Sequence, residues 1–149
     1  MRKLKRVLAL VLTMSILSCI YISVSAMSVI SSTFIVSAGG SEYSQQTCFQ
    51  STYHSQCYMR MVSYKFNGYN TNVMPSGCHI ASRLYLVSNG GNYYAASNVA
   101  TFTAPTSVGQ YNYSFQAGYG GAGQTFKAKT NSTSSLAFNA VIEWKTEPY

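Results

Sequence analysis

The chain has 149 residues, of which only 9% are charged, with ten Lys plus Arg against three acids and a formal charge of +7. It contains no Asp, and its three carboxylate side chains are Glu42, Glu143 and Glu147, so it is badly equipped for paired-carboxylate catalysis, which needs two carboxyl groups facing one cleft. A G-x-S-x-G elbow, a P-loop and a dinucleotide fingerprint are all missing, which removes the commonest hydrolase and nucleotide-binding signatures.

The N-terminus reads as an export signal. Arg2, Lys3, Lys5 and Arg6 precede an apolar run from Val7 to about Ile22, and "VSA" places small Val24 and Ala26 at the −3 and −1 positions. This layout predicts a signal peptide over 1–26, cleaved after Ala26, and a secreted, extracellular product that associates with the cell surface. Two rivals rest on the uncharged stretch 7–38: a retained membrane anchor, and later cleavage at a second "VSA" ending at Ala38. A lipoprotein built on Cys19 is a third, but Leu17 stands where such signals place a small residue.

Without the signal, six bases remain (Arg60, Lys65, Arg83, Lys127, Lys129, Lys145) against the three Glu, a net charge of +3. These bases are scattered along the chain, which predicts no nucleic-acid partner. Solubility must come instead from the abundant Ser, Thr, Asn and Gly.

In chain order, 27–56 reads as a leader and Cys-containing loop, with Thr33–Val36 as an alternative first strand and Ala38–Glu42 as a break. The stretch Cys57–Phe66 alternates as a strand, with Tyr58, Val62, Tyr64 and Phe66 on one face and Cys57, Met59, Met61, Ser63 and Lys65 on the other. The stretch Ile80–Val87 follows, with Ile80, Leu84 and Leu86 together. Ser88–Asn92 supplies the glycines of a tight hairpin, and Tyr93–Ala104 returns until Pro105, which lacks an amide donor. A further strand sets Tyr111, Tyr113, Phe115 and Ala117 against Asn112, Ser114 and Gln116. After the Gly118–Gly123 turn, Phe126 and Ala128 point inward and Lys127 and Lys129 outward. A closing hairpin through "NSTSS" leads to Leu136, Phe138, Ala140, Ile142 and Trp144 on one face. The prediction is an all-β fold: a single antiparallel β-sandwich, alternatively a small barrel, of about six or seven strands, with its core in 57–149 and one domain over 27–149.

"TCFQSTYHSQC" holds Cys48, His54 and Cys57, and Cys78–His79 lies some twenty residues on. Export favours disulfide pairing among Cys48, Cys57 and Cys78. A Cys48–Cys57 bond would stabilise by about 2.5–3 kcal/mol on the chain-entropy model. An odd cysteine is left over, open to a disulfide-linked dimer. The Cys/His spacing matches no compact zinc pattern, so neither metal nor cofactor is expected. A Cys–His nucleophile pair is geometrically open for His54 but not for the strand neighbours Cys78 and His79, whose side chains point to opposite faces.

Twelve of the thirteen tyrosines follow residue 26. Tyr43, Tyr53, Tyr69, Tyr93, Tyr94 and Tyr119 fall in or near loops and strand ends among amide side chains. A flat ring beside amide donors suits a sugar or a peptide, and the candidate binding set is Tyr53, Tyr69, Tyr93, Tyr94 and Tyr119. The basic signal, the Asp-poor exported part and the Ser/Thr-rich segment before a Trp strand together resemble small exported proteins of Gram-positive bacteria. The expected function is a secreted, non-enzymatic protein bound to the cell envelope, to a wall glycan or to a protein partner. The alternatives are a membrane-active bacteriocin or pore-former, in which alone membrane contact is expected, and a small Cys–His hydrolase.

Overall fold

The computed structural model describes residues 28–70, 73–105, 111–133 and 135–149. The signal peptide expected over 1–26 lies outside the described residues. Among those residues the fold is all-β, without a helix, and has ten strands in two antiparallel sheets. The strands are β1 (Ile30–Val36), β2 (Ser41–Tyr43), β3 (Cys48–Gln50), β4 (Gln56–Phe66) and β5 (Ile80–Val87). There follow β6 (Tyr93–Ala95), β7 (Ala100–Phe102), β8 (Asn112–Ser114), β9 (Gln124–Ser132) and β10 (Phe138–Lys145).

The first sheet runs β1-β10-β4-β8. The second runs β2-β9-β5-β6, with β3 pairing beside β2 on β9 and β7 beside β6 on β5. Each sheet is therefore four strands wide, and two of the second sheet's positions are shared by short strands in tandem. This is the sandwich-like arrangement of the sequence reading rather than the barrel. The higher strand count comes from these three-residue pieces: Tyr93–Ala104, read as one strand, is β6 and β7 separated by an excursion in which Ser97 forms a bridge to Phe115. The segment read as a leader contributes β1, β2 and β3, and β1 lines the edge of the first sheet.

Alternation makes the interior. Phe138, Ala140, Ile142 and Trp144 of β10 are buried, as are Phe126, Ala128 and Thr130 of β9. They meet Phe34, Met59, Met61, Tyr64 and Phe66 from the first sheet and Ile80, Leu84 and Phe102 from the second. Fully burying one such side chain stabilises by about 1.5–3 kcal/mol. Several polar groups inside are satisfied locally. Trp144 Nε1 donates to Ser32 Oγ (2.9 Å), and Thr130 Oγ1 donates to Ser82 Oγ (3.2 Å), which in turn donates to the Lys129 carbonyl (3.1 Å).

Two expectations are corrected. In β4, Cys57, Met59, Met61, Tyr64 and Phe66 all face inward. Opposite β10, Ile142 pairs with Met61 and Val141 with Ser63, so Val62 is an extra residue with no partner. That β-bulge shifts the side-chain parity by one, and simple alternation across it fails. The closing pair is not a hairpin either. β9 pairs with β2, β3 and β5, whereas β10 pairs with β1 and β4, so the Ser/Thr-rich turn carries the chain from one sheet to the other. Alternation identifies a half-buried strand but not its partner.

Candidate functional site

The outer face of the second sheet gathers rings and cations. Register sets it out: Tyr43 and Arg83 both lie opposite Lys129, Tyr85 lies opposite Lys127, and Ser41 lies opposite Asn131. On β9, Lys127 and Lys129 point outward because Phe126, Ala128 and Thr130 point in. Tyr43 from one edge of the sheet and Tyr93 from the other meet over its middle, with ring centroids 4.4 Å apart and 26° between planes. Tyr85 stands edge-on to Tyr43 at 5.4 Å. Lys129 Nζ lies 4.9 Å from the Tyr43 centroid and 5.4 Å from that of Tyr85, within cation–π range. Arg83 is anchored by two hydrogen bonds to the Ser97 carbonyl (3.1 and 2.7 Å). It sits 5.7 Å from the Tyr85 centroid. Beside the rings, Gly39, Gly40, Ser41, Tyr85, Lys129 and Asn131 line a cleft of about 400 Å³.

Every carboxylate is engaged elsewhere. Glu42 alternates away from Tyr43 and accepts the backbone N–H of Ile35 on β1. Glu143 accepts from Arg60 Nε and Nη2 (3.0 and 2.5 Å). Glu147 pairs with Lys145 (3.4 Å) and lies 3.8 Å from His54 Nε2. Of the four bases outside those ion pairs among the described residues, three (Arg83, Lys127 and Lys129) share this one face. The charge that is scattered in sequence is therefore clustered in space.

A second cleft, of about 290 Å³, lies between the loop before β4 and the turn after β8, where Tyr53, Ser55, Phe115, Gln116 and Tyr119 line it. Its walls are docked through Gly120. The Gly120 carbonyl accepts from His54 N (2.9 Å) and from Gln50 Nε2 (2.6 Å). Gly120 has φ +83°, and a Cβ there would sit 2.2 Å from the His54 carbonyl oxygen. The Gln116 amide, in its hydrogen-bonded orientation, donates to the Ala95 carbonyl (3.1 Å) and accepts from Arg83 (2.8 Å), which ties this cleft to the second sheet.

The structure thus brings Tyr53 and Tyr119 together and joins Tyr93 to a different group. Tyr69 lies apart in the turn after β4, and Tyr94 points to the opposite face of β6 from Tyr93. Tyr85, Arg83 and the lysine pair were missed as a site, because their convergence depends on strand register rather than on spacing along the chain.

The cysteines do not form the expected staple. No disulfide joins any two of Cys48, Cys57 and Cys78. Cys48 lies on β3 of the second sheet, with Sγ 3.5 Å from Thr146 Oγ1. Cys57 lies on β4 of the first sheet and donates to the Tyr113 carbonyl (3.3 Å). Burial pushes the Cys57 thiol up to about 12, so it stays protonated at neutral pH. His54 Nε2 is 3.0 Å from Thr52 Oγ1. Among the described residues no group of three or more His, Cys, Asp or Glu is placed to hold a metal ion. No family model, curated protein or solved structure matches the chain.

Proposed function

We propose that the chain is an exported, non-enzymatic β-sandwich that associates with the cell envelope by binding carbohydrate. The observation that carries this reading is the Tyr53–Tyr119 cleft. Tyr53 is 68% exposed and lines the cleft beside Ser55 and Gln116. An open ring flanked by short polar groups offers a sugar its apolar face and its hydroxyls together. Export is supported by the three-part N-terminus. Processing after Ala26 would leave every described strand intact, whereas processing after Ala38 would remove β1 with the buried Phe34 and Val36.

The test is retention of the secreted protein on purified cell wall, beside a control protein of similar charge. Wild type should be retained, and Tyr53→Ala should be retained several-fold less while melting at the same temperature. Retention no better than the control would sink the proposal, and equal retention of the variant would remove this cleft from it. Intact mass of the secreted protein checks processing: loss of residues 1–26 is expected.

A further inference from the structure

The +3 excess of the chain after residue 26 equals the charge gathered on one face of the second sheet, which Arg83, Lys127 and Lys129 share with three tyrosine rings and no carboxylate. We propose that this face is a second binding surface, for a linear anionic carbohydrate polymer: a chain of sugar or polyol units carrying a carboxylate or a phosphodiester at regular intervals. The inference rests on the envelope reading for the source of such a polymer, but it uses different residues from the Tyr53 cleft.

Three features select a polymer over a small anion. First, the cations lie in an L on an open sheet face rather than in a closed cup. Lys127 and Lys129 are two residues apart on one strand, so their Cα atoms are about 7 Å apart, and Arg83 lies across the ladder from Lys129, at about 5 Å. Nothing walls these groups in around a single small anion, whereas successive anions of a chain laid on the open face would meet them in turn. Second, flat rings lie between the charges. Tyr43, Tyr85 and Tyr93 form a continuous aromatic floor on which the neutral body of each unit can rest. Third, the cationic face continues through Tyr85 and Lys129 into the cleft that Gly39, Gly40, Ser41 and Asn131 also line, which offers hydroxyl and amide partners without adding charge. Neutral oxygens anchor Arg83 (the Ser97 carbonyl and the Gln116 amide), so its charge is fixed in place and not cancelled.

The experiment is titration of the secreted protein with fluorescently labelled polygalacturonate and poly(glycerol phosphate), with neutral dextran, single-stranded DNA and anionic phospholipid vesicles in parallel. One or both anionic carbohydrate polymers should bind, more weakly as salt rises, and dextran should not. Which of the two binds identifies the anionic group as carboxylate or phosphodiester. Lys127→Gln with Lys129→Gln should weaken binding about tenfold and flatten its salt dependence, on the scale of two exposed charge contacts. Tyr93→Ala should weaken binding at unchanged salt dependence, and Lys65→Gln, at an exposed base on β4 of the first sheet, should leave it as in wild type. Both lysines are on the wet face and only Lys129 gives up ring contacts, so a melting temperature lowered by no more than about 5 °C is expected and is checked first. The proposal is overturned if neither polymer binds, if dextran binds equally, if the double lysine variant binds like wild type, or if DNA or vesicles bind as tightly as the better polymer.

Discussion

Replacing Gly120 by Ala should unfasten the Tyr53 cleft from the body of the protein. At φ +83° the added Cβ costs about 1–2 kcal/mol from the left-handed backbone alone. It would also meet the His54 carbonyl oxygen at 2.2 Å and Phe115 Cδ2 at 2.8 Å. A backbone oxygen cannot rotate away as a side chain can, so the loop carrying Tyr53 must retreat. That retreat lengthens the bonds to the Gly120 carbonyl from His54 N (2.9 Å) and Gln50 Nε2 (2.6 Å). Each such bond contributes about 1 kcal/mol net, which brings the total loss to about 3–4 kcal/mol. Gly118 supplies the control: its φ is +87°, but nothing lies within 4 Å of a Cβ built there. Gly118→Ala therefore isolates the backbone cost. Urea unfolding of the two variants beside wild type should show a loss in Gly120→Ala larger by about 2 kcal/mol, with unchanged m-values. Equal losses in the two variants would refute the docking role assigned to Gly120.

Two further outcomes test the interior. Ser32→Ala removes the acceptor of the buried Trp144 indole N–H, and should destabilise by about 1–3 kcal/mol in thermal or urea unfolding; a loss below about 0.5 kcal/mol would show that the indole finds another partner as readily. Cys57 titrates near its ordinary 9.0 when unfolded but near 12 when folded, so the folded state holds the proton across that window. Its contribution is fully present below pH 9 and lost as pH rises toward 12, at a slope of about 1.4 kcal/mol per pH unit. Burial raises Tyr58 and Tyr113 as well and bends stability the same way, so the check is a comparison with Cys57→Ala, which should lose stability less steeply above pH 9. Parallel curves for the two proteins would rule the thiol out as a source.

Much of the fold is legible in the sequence wherever a strand has one wet and one dry face. β9 and β10 have the inward residues that alternation predicts, Phe126 and Ala128 on one and Phe138 to Trp144 on the other. The hairpin of β5 and β6 turns where Ser88–Asn92 predicts it, with Gly91 at φ 77° and its N–H donated to the Ser88 carbonyl. What is not legible is pairing. Nothing in "NSTSS" distinguishes a return within one sheet from a passage to the other. The same blindness hides the cationic face, because Arg83 and Lys129 are 46 positions apart and become neighbours only through the register of β5 on β9. Loop position puts Tyr53, Tyr69, Tyr93, Tyr94 and Tyr119 in one set, but it gives no means of telling that Tyr53 and Tyr119 line one cleft while Tyr93 stacks on Tyr43 on the second sheet's face. Compartment predicts pairing of the thiols, whereas the fold turns Cys48 Sγ to Thr146 Oγ1 and Cys57 Sγ to the Tyr113 carbonyl.

The bulge at Val62 makes β4 an editable strand at one position. With Val62 excised, Met61, Ser63, Tyr64, Lys65 and Phe66 would run in unbroken alternation, and the partners Ile142, Val141 and Ala140 would meet the same residues that they meet now. Val62 is itself 39% exposed, so no core volume would be lost with it. Excision at any other position from Met59 to Lys65 would instead turn part of the strand inside out unless the bulge closed to absorb the slip. The spare residue is therefore a buffer against single-codon loss within β4. What its removal would change is the local bend that a bulge gives to the middle of the first sheet.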